Sequence, residues 1–227
     1  MSISVKTKHT ESPKLRITVL GAAGNVGSRV VNEALARGHE VTAVIRDSSQ
    51  ASSLPPNVKM RLADVSKVDD VVEVSSGQDI VISAIRPAPG KEDAAALTTR
   101  SLMDGLARTG VRVLVVGGAA TLTVPGKGGM TVLEDADFLP VEARHIGQAS
   151  ADQFDVCLAE TRVNWTYLSP PAQLEAGERT ANYRLGGNEL IIDENGISKI
   201  SMEDLSLILV DEAEHPRHQR SRFTAAY

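Results

Sequence analysis

An apolar stretch, Leu15-Arg16-Ile17-Thr18-Val19-Leu20, runs straight into Gly21-Ala22-Ala23-Gly24-Asn25-Val26-Gly27 and then into a helical pattern, a junction that few folds accommodate. Gly21 permits a tight turn off the strand, Gly24 lets backbone approach a pyrophosphate, and Gly27 lets the helix lie close to the sheet. The amides of the first helical turn have no intrahelical acceptor, and the aligned peptide dipoles leave partial positive charge there. A diphosphate is thereby stabilised without a basic side chain. Val26, Val30, Val31, Ala34 and Leu35 form one apolar face of a helix over 25–37, Gly38 stops it, and Glu40-Val41-Thr42-Ala43-Val44-Ile45 reads as a parallel strand. The alternative, a glycine turn that serves packing alone, leaves this complete βαβ context unexplained. The expected ligand is a dinucleotide, held around Gly21, Ala23, Gly24, Asn25, Val26 and Gly27.

Strand and helix signals keep alternating to Pro170, which predicts an α/β fold with a Rossmann-like, doubly wound parallel sheet. Further strands are expected at 58–62, 79–84, 111–116 and 164–168, with helices at 68–74, 93–108 and 144–162. Near-continuous Val and Ile in the fourth and fifth strands predicts a sheet covered on both faces. Glycine and proline break the rhythm after Gly117. Residues 117–142 read as a lid loop at the carboxyl end of a strand, where open α/β sheets bind ligands, or else as a disordered excursion. Beyond Pro170 a small substrate-side region over 172–200 is expected, with a hairpin formed by Tyr183-Arg184-Leu185 and Glu189-Leu190-Ile191-Ile192 around Gly186-Gly187. Ser201 looks like a helix N-cap with Glu203 and Asp204 in the first turn, and Phe223–Tyr227 like a last short strand. The 227 residues are read as a polar tail over 1–14 and one domain over 15–227.

Composition excludes several classes. A net charge of -5 with scattered Lys and Arg leaves no electrostatic footprint for nucleic acid. No apolar run reaches the length of a membrane-spanning helix, and Met1–Lys14 lacks the apolar core of a secretory signal, so a cytoplasmic protein is expected. The lone Cys157 reads as a buried thiol, and His9, His39, His145, His215 and His218 show no metal spacing, so no metal is expected. The expected partner is a small-molecule acceptor, the protein being a monomer or a homodimer.

After the second strand, NAD-preferring enzymes usually offer an acid to the ribose hydroxyl and NADP-preferring ones a cation to the 2′-phosphate. Here Arg46 comes first and favours NADP(H), while Asp47, expected to cap the Ser48-Ser49 turn, keeps NAD(H) open. Asp64 and Val65 follow the third strand at the expected depth of the adenine; alternatively Asp64 caps the next helix. Ala84, Ile85 and Arg86 leave the fourth strand beside the diphosphate, where Arg86 would steer phosphate or substrate. Gly117, Gly118 and Ala119 leave the fifth strand as further cofactor-binding candidates, and Pro170 leaves the sixth, either where related proteins press backbone against the nicotinamide or as a simple strand stop.

The cradle, Val115-Val116-Gly117-Gly118-Ala119, Trp165-Thr166-Tyr167-Leu168-Ser169-Pro170, Gly177-Glu178-Arg179-Thr180 and Arg222-Phe223-Thr224 together resemble bacterial NAD(P)H-binding proteins of the NADH-flavin reductase group. These are atypical, NmrA-like short-chain dehydrogenase/reductases. More distantly the chain is similar to the flavin-reducing biliverdin reductase of animals, whose cofactor positions match Arg46-Asp47 and Asp64-Val65. The resemblance implies a Rossmann fold, NAD(P)H as cofactor and reduction of flavins (FMN or FAD) or related acceptors.

Carbonyl reductases of the wider family use a Tyr acid, a Lys four residues on and a Ser after the fifth strand. This chain has no tyrosine between Gly117 and Asn164, has Lys127 as the one lysine there, and carries Ala119 at the serine position. Thr121 is the nearest hydroxyl, expected on the same side of an extended chain and able to bond nicotinamide, acceptor or backbone. His145 is the residue near the lid suited to proton transfer, or else a surface side chain. Flavin reduction tolerates the missing pair, because the charge delocalises over the ring system. Two other readings stay open: a non-catalytic NADP(H)-binding redox sensor, and an isomerase or carbonyl reductase that uses His145.

Overall fold

The structure, a computed structural model, describes residues 14–227. The expected tail and His9 lie outside these residues, apart from Lys14. The chain runs β1 (Arg16–Leu20), α1 (Asn25–Ala36), β2 (Glu40–Ile45), β3 (Lys59–Leu62), α2 (Val68–Ser75), β4 (Ile80–Ser83), α3 (Ala94–Thr109) and β5 (Arg112–Val116). It continues with α4 (Arg144–Ala159), β6 (Trp165–Ser169), β7 (Gln173–Glu175), β8 (Arg184–Gly186), β9 (Lys199–Ser201), α5 (Met202–Glu214) and β10 (Ser221–Ala226). The main sheet has the order β3-β2-β1-β4-β5-β6-β10-β8, parallel throughout except for β8, and β7 pairs with β9 in a separate parallel piece.

Helices α1 and α5 cover one face of this sheet and α2, α3 and α4 the other. Two apolar cores result. Ile17, Val30, Ile82, Leu168 and Phe223 belong to the first, and Leu20, Leu102, Val113, Phe154, Trp165 and Tyr167 to the second. Alternate residues of one strand feed opposite cores, which is why β4 and β5 are apolar almost without interruption. The strand order reverses between β1 and β4, and the crevice at that switch point is where open α/β sheets bind ligands. No helix of the described residues is long and apolar enough to cross a membrane.

Three expectations are corrected. The hairpin around Gly186-Gly187 does not form: β8 pairs antiparallel with β10, while Leu190 N donates to Thr123 O at 2.8 Å and ties its segment to the lid loop. Wider packing overrides the local turn signal there. The lid loop is no disordered excursion, because Leu122, Val124, Val132 and Leu190 build a small core of their own and Lys127 pairs with Asp135 and Asp137. The helix expected to reach Arg162 ends at Ala159, after which the Glu160 carboxylate accepts from the backbone N–H groups of Arg162 and Val163.

Ser201 caps α5 as expected, its hydroxyl accepting from Asp204 N at 3.0 Å. Asp204, fully buried, ties down the Gly177–Thr180 motif by accepting from Thr180 Oγ1 (2.6 Å), Ala181 N (2.8 Å) and Tyr227 OH (2.9 Å). Burial alone would raise its pKa, but these donors hold the carboxyl below its ordinary value. Its stabilisation is therefore complete above the unfolded-state pKa of about 4 and fades as the pH falls through the lower native value. Asp204→Asn is expected to cost about 2 kcal/mol at pH 7 and to flatten the acid limb of stability. Denaturant unfolding between pH 7 and pH 3 checks this; an unchanged acid limb contradicts it.

Candidate nucleotide and acceptor site

The cradle is shaped by atoms that leave no room for side chains. Gly21 has φ +72°, and a Cβ there would lie 2.8 Å from Ala84 O, so β1 turns directly against the end of β4. Gly24 N donates to Gly21 O at 2.9 Å and closes the turn. A Cβ on Gly27 would fall 2.1 Å from that same Gly21 oxygen. No side chain caps α1 and its first turn carries no acid, so the amides of Asn25, Val26 and Gly27 are left for an anion. Ala22 is buried, Ala23 half-buried and Gly24 exposed, which opens the turn to a diphosphate.

Arg46 follows β2, is exposed, and makes no ion pair among the described residues. Its neighbour Asp47 is turned away: the carboxylate accepts from Ser49 N at 2.8 Å, which holds its pKa low. Asp64 lies across from them, its Oδ1 accepting from Ser66 Oγ (2.7 Å) and Ser66 N (3.0 Å), which lowers its pKa. The capping alternative is thus corrected: the N-cap of α2 is Lys67, and Asp64 closes its own turn, with Oδ2 outside those bonds. Val65 is buried in the second core.

At the other end of the crevice, Ala84 and Ile85 are half-buried and Arg86 exposed. Arg86 and His145 both lie near Glu92, whose carboxyl is kept below its usual range chiefly by its own N–H and that of Gly90. The exposed His145 also lines a recess of about 510 Å³ with Leu133, Glu134, Arg144 and Gln148 at the lid's outer edge. Pro170, buried, follows β6.

Tyr167 shapes the floor. A Cβ on Gly117 would lie 1.9 Å from Tyr167 Cζ, and Gly118 N donates to Tyr167 OH at 3.3 Å. The phenol in turn has Gln153 Oε1 at 3.2 Å and Ser150 O at 3.3 Å as acceptors. Burial pushes its pKa up to about 12, so it stays protonated as a structural donor. Cys157, buried nearby, is likewise pushed up to about 12, chiefly by burial.

The extended chain assumed for Thr121 is a turn instead, closed by Leu122 N donating to Ala119 O at 2.8 Å. The turn brings Thr121 Oγ1 to Arg222, whose Nη1 donates to it at 2.6 Å. Sequence reasoning overlooked Arg222, Asn188 and Ser150 as members of this region. The signal for the first was the one charged residue of the strand Ser221-Arg222-Phe223-Thr224-Ala225-Ala226. Ser150 left no signal, since only packing brings its hydroxyl against Gly118.

A family profile described as NAD(P)H-binding matches residues 21–216. The uncharacterized protein YwnB of Bacillus subtilis (strain 168) is 34% identical over 217 residues, covering 92% of this chain and 97% of its own. A Burkholderia pseudomallei protein provisionally named as exported is 36% identical with a TM-score of 0.84, over 94% of this chain and 100% of its own. A Streptococcus pneumoniae TIGR4 protein provisionally named an NADH-flavin reductase is 32% identical with a TM-score of 0.81, over 93% of this chain and 99% of its own. With an uncapped helix start, a turn that excludes side chains and a profile that matches residues 21–216, the chain belongs to the NAD(P)H-binding family of Rossmann-fold, oxidoreductase-like proteins.

Proposed function

We propose that this protein is an NADPH-dependent reductase that passes hydride to a flavin, quinone or similar conjugated acceptor, without a dedicated protein acid. The observation that carries the reading is the chemistry at the end of β5. The phenol beside it, Tyr167, is buried and holds Gly118, and Thr121, the first hydroxyl after β5 along the chain, is held by Arg222. Neither is poised to protonate an alkoxide, which suits acceptors whose charge delocalises as hydride arrives. Bound NADPH supplies that hydride from its nicotinamide ring. The chain's own contribution is positional: the α1 amides hold the diphosphate, Arg46 the 2′-phosphate, and Ala84, Gly117, Gly118 and Pro170 the ribose and nicotinamide end. Arg86 and His145 line the rim through which an acceptor enters.

Steady-state oxidation of NADPH and NADH with FMN, FAD, riboflavin, quinones and enones tests this. Turnover with at least one conjugated acceptor is expected, faster with NADPH; tight nucleotide binding with no oxidation by any acceptor overturns it. Arg46→Ala should weaken NADPH binding roughly 10- to 100-fold, the loss of a charge-assisted contact of about 1.5–3 kcal/mol, and leave NADH nearly unchanged. Equal losses for the two nucleotides reject the 2′-phosphate role.

A further inference from the structure

Four arginines are partly buried: Arg29, Arg37, Arg112 and Arg222. Arg29 pairs with Glu203, Arg37 with Glu33, Asp211 and Glu214, and Arg112 with Glu212. Arg222 pairs with no carboxylate among the described residues. Its Nε and Nη2 donate to Asn188 Oδ1 at 3.1 and 2.9 Å, its Nη1 donates to Thr121 Oγ1 at 2.6 Å, and its Cζ lies 4.6 Å from the centroid of the Phe154 ring. These partners are neutral. A guanidinium taken partly out of water is costly unless a counter-charge arrives, and burial lowers its pKa here, with only the Tyr167 phenol acting the other way and no carboxylate.

Its location points to the acceptor rather than the nucleotide. Arg222 is the register partner of Tyr167, on the face of the sheet that carries α4, one strand aside from the phenol that supports Gly118. It touches the lid through Thr121, the β8–β9 segment through Asn188 and α4 through the Phe154 ring, so three parts of the fold converge on one cation. The cradle at α1 and the 2′-phosphate position at Arg46 belong to separate strands on the far side of the switch point. A guanidinium has five N–H groups, of which three are used here, leaving one on each Nη for a ligand.

Resting on the reductase reading for the identity of its ligand, we infer that Arg222 anchors an anionic group, a carboxylate or a phosphate ester, carried by the acceptor. Thr121 and Asn188 orient the guanidinium, and the site thereby selects charged conjugated acceptors over neutral ones of the same ring system. Charge-assisted contacts from guanidinium to carboxylate or phosphate are among the strongest polar contacts available.

The test compares matched pairs in the presence of saturating NADP+. Binding of FMN and of riboflavin, followed by flavin fluorescence, reads the phosphate; binding of a carboxylated naphthoquinone and of its methyl ester, followed by calorimetry, reads the carboxylate. The wild-type protein should prefer the charged member of at least one pair about tenfold or more. Arg222→Gln should remove that preference while leaving the neutral member's affinity nearly unchanged. Arg222→Lys, which keeps the charge without the fork, should retain part of it and serves if the glutamine variant fails to fold. Equal wild-type affinities within both pairs, no binding of any member, or a preference that survives in both variants overturns the inference. A mere latch for the lid would weaken both members of a pair alike, and that result also overturns it. Because binding is read without turnover, lack of NADPH oxidation would remove the reductase reading and leave the anion site standing.

Discussion

Gly27→Ala is expected to weaken nicotinamide-nucleotide binding about 100-fold and to destabilise the fold by itself. Its new methyl would sit 2.1 Å from Gly21 O and 2.8 Å from Gly21 C, both backbone atoms that no rotamer change can move. Relief requires the start of α1 to move away from the end of β1, and the same movement pulls the amides of Asn25 and Val26 out of position. Overpacking of this kind costs about 1–3 kcal/mol, or a Tm fall of roughly 2–4 °C for each kcal/mol in a domain of this size. Losing the aligned charge-assisted contacts should weaken NADPH about 100-fold. Gly24→Ala is the informative control. A Cβ there meets only Gly21 O at 3.2 Å, so the variant should melt close to the wild type yet bind nucleotide poorly, because the methyl occupies the turn's exposed side. Calorimetry and thermal melting on both variants check the pair; wild-type affinity in Gly27→Ala would refute the cradle.

Gly117→Ala should be at least as damaging, through a different route. Its Cβ would lie 1.9 Å from Cζ and 2.0 Å from OH of Tyr167, so the ring must leave its place. The ring is packed against Phe154 at a centroid distance of 4.8 Å and its hydroxyl holds Gly118 N, so the whole end of β5 loosens with it. A loss of about 3 kcal/mol is expected, with acceptor turnover falling further than nucleotide affinity. Tyr167→Phe, which removes only the hydroxyl, should cost about 1 kcal/mol. Truncating the ring in Tyr167→Leu ought to relieve much of the Gly117→Ala clash, giving a strongly non-additive double-mutant cycle; additive losses would show that the collision is absorbed elsewhere.

The parts of this fold that were legible in advance are those whose cause is local. Strand β1, the glycine turn, α1 and β2 follow from residue spacing and from backbone freedom within thirty consecutive positions, and the structure has them nearly as read. The Asp47 turn and the Ser201 cap were equally local, each a side chain closing on a backbone N–H two or three residues away. The Gly186-Gly187 hairpin failed although its cue was local too, because Arg184–Gly186 gained more by pairing with β10, which lies nearly forty residues further on. Thr121 is the mirror case. Its hydroxyl was singled out as the first after the fifth strand along the chain, but its role was assigned on an extended chain that in fact turns at Ala119.

From the amino acids alone came the doubly wound sheet and the glycine turn between β1 and α1, since periodicity and glycine spacing carry those properties directly. Only the tertiary structure decided that Tyr167 supports Gly118, that the lid has its own core, and that Arg222 meets Thr121 across 101 positions of chain without an acid beside it. The reason is physical: such contacts exist because separate strands and loops are packed together, and a partner set by packing leaves no pattern in the residues that precede or follow it.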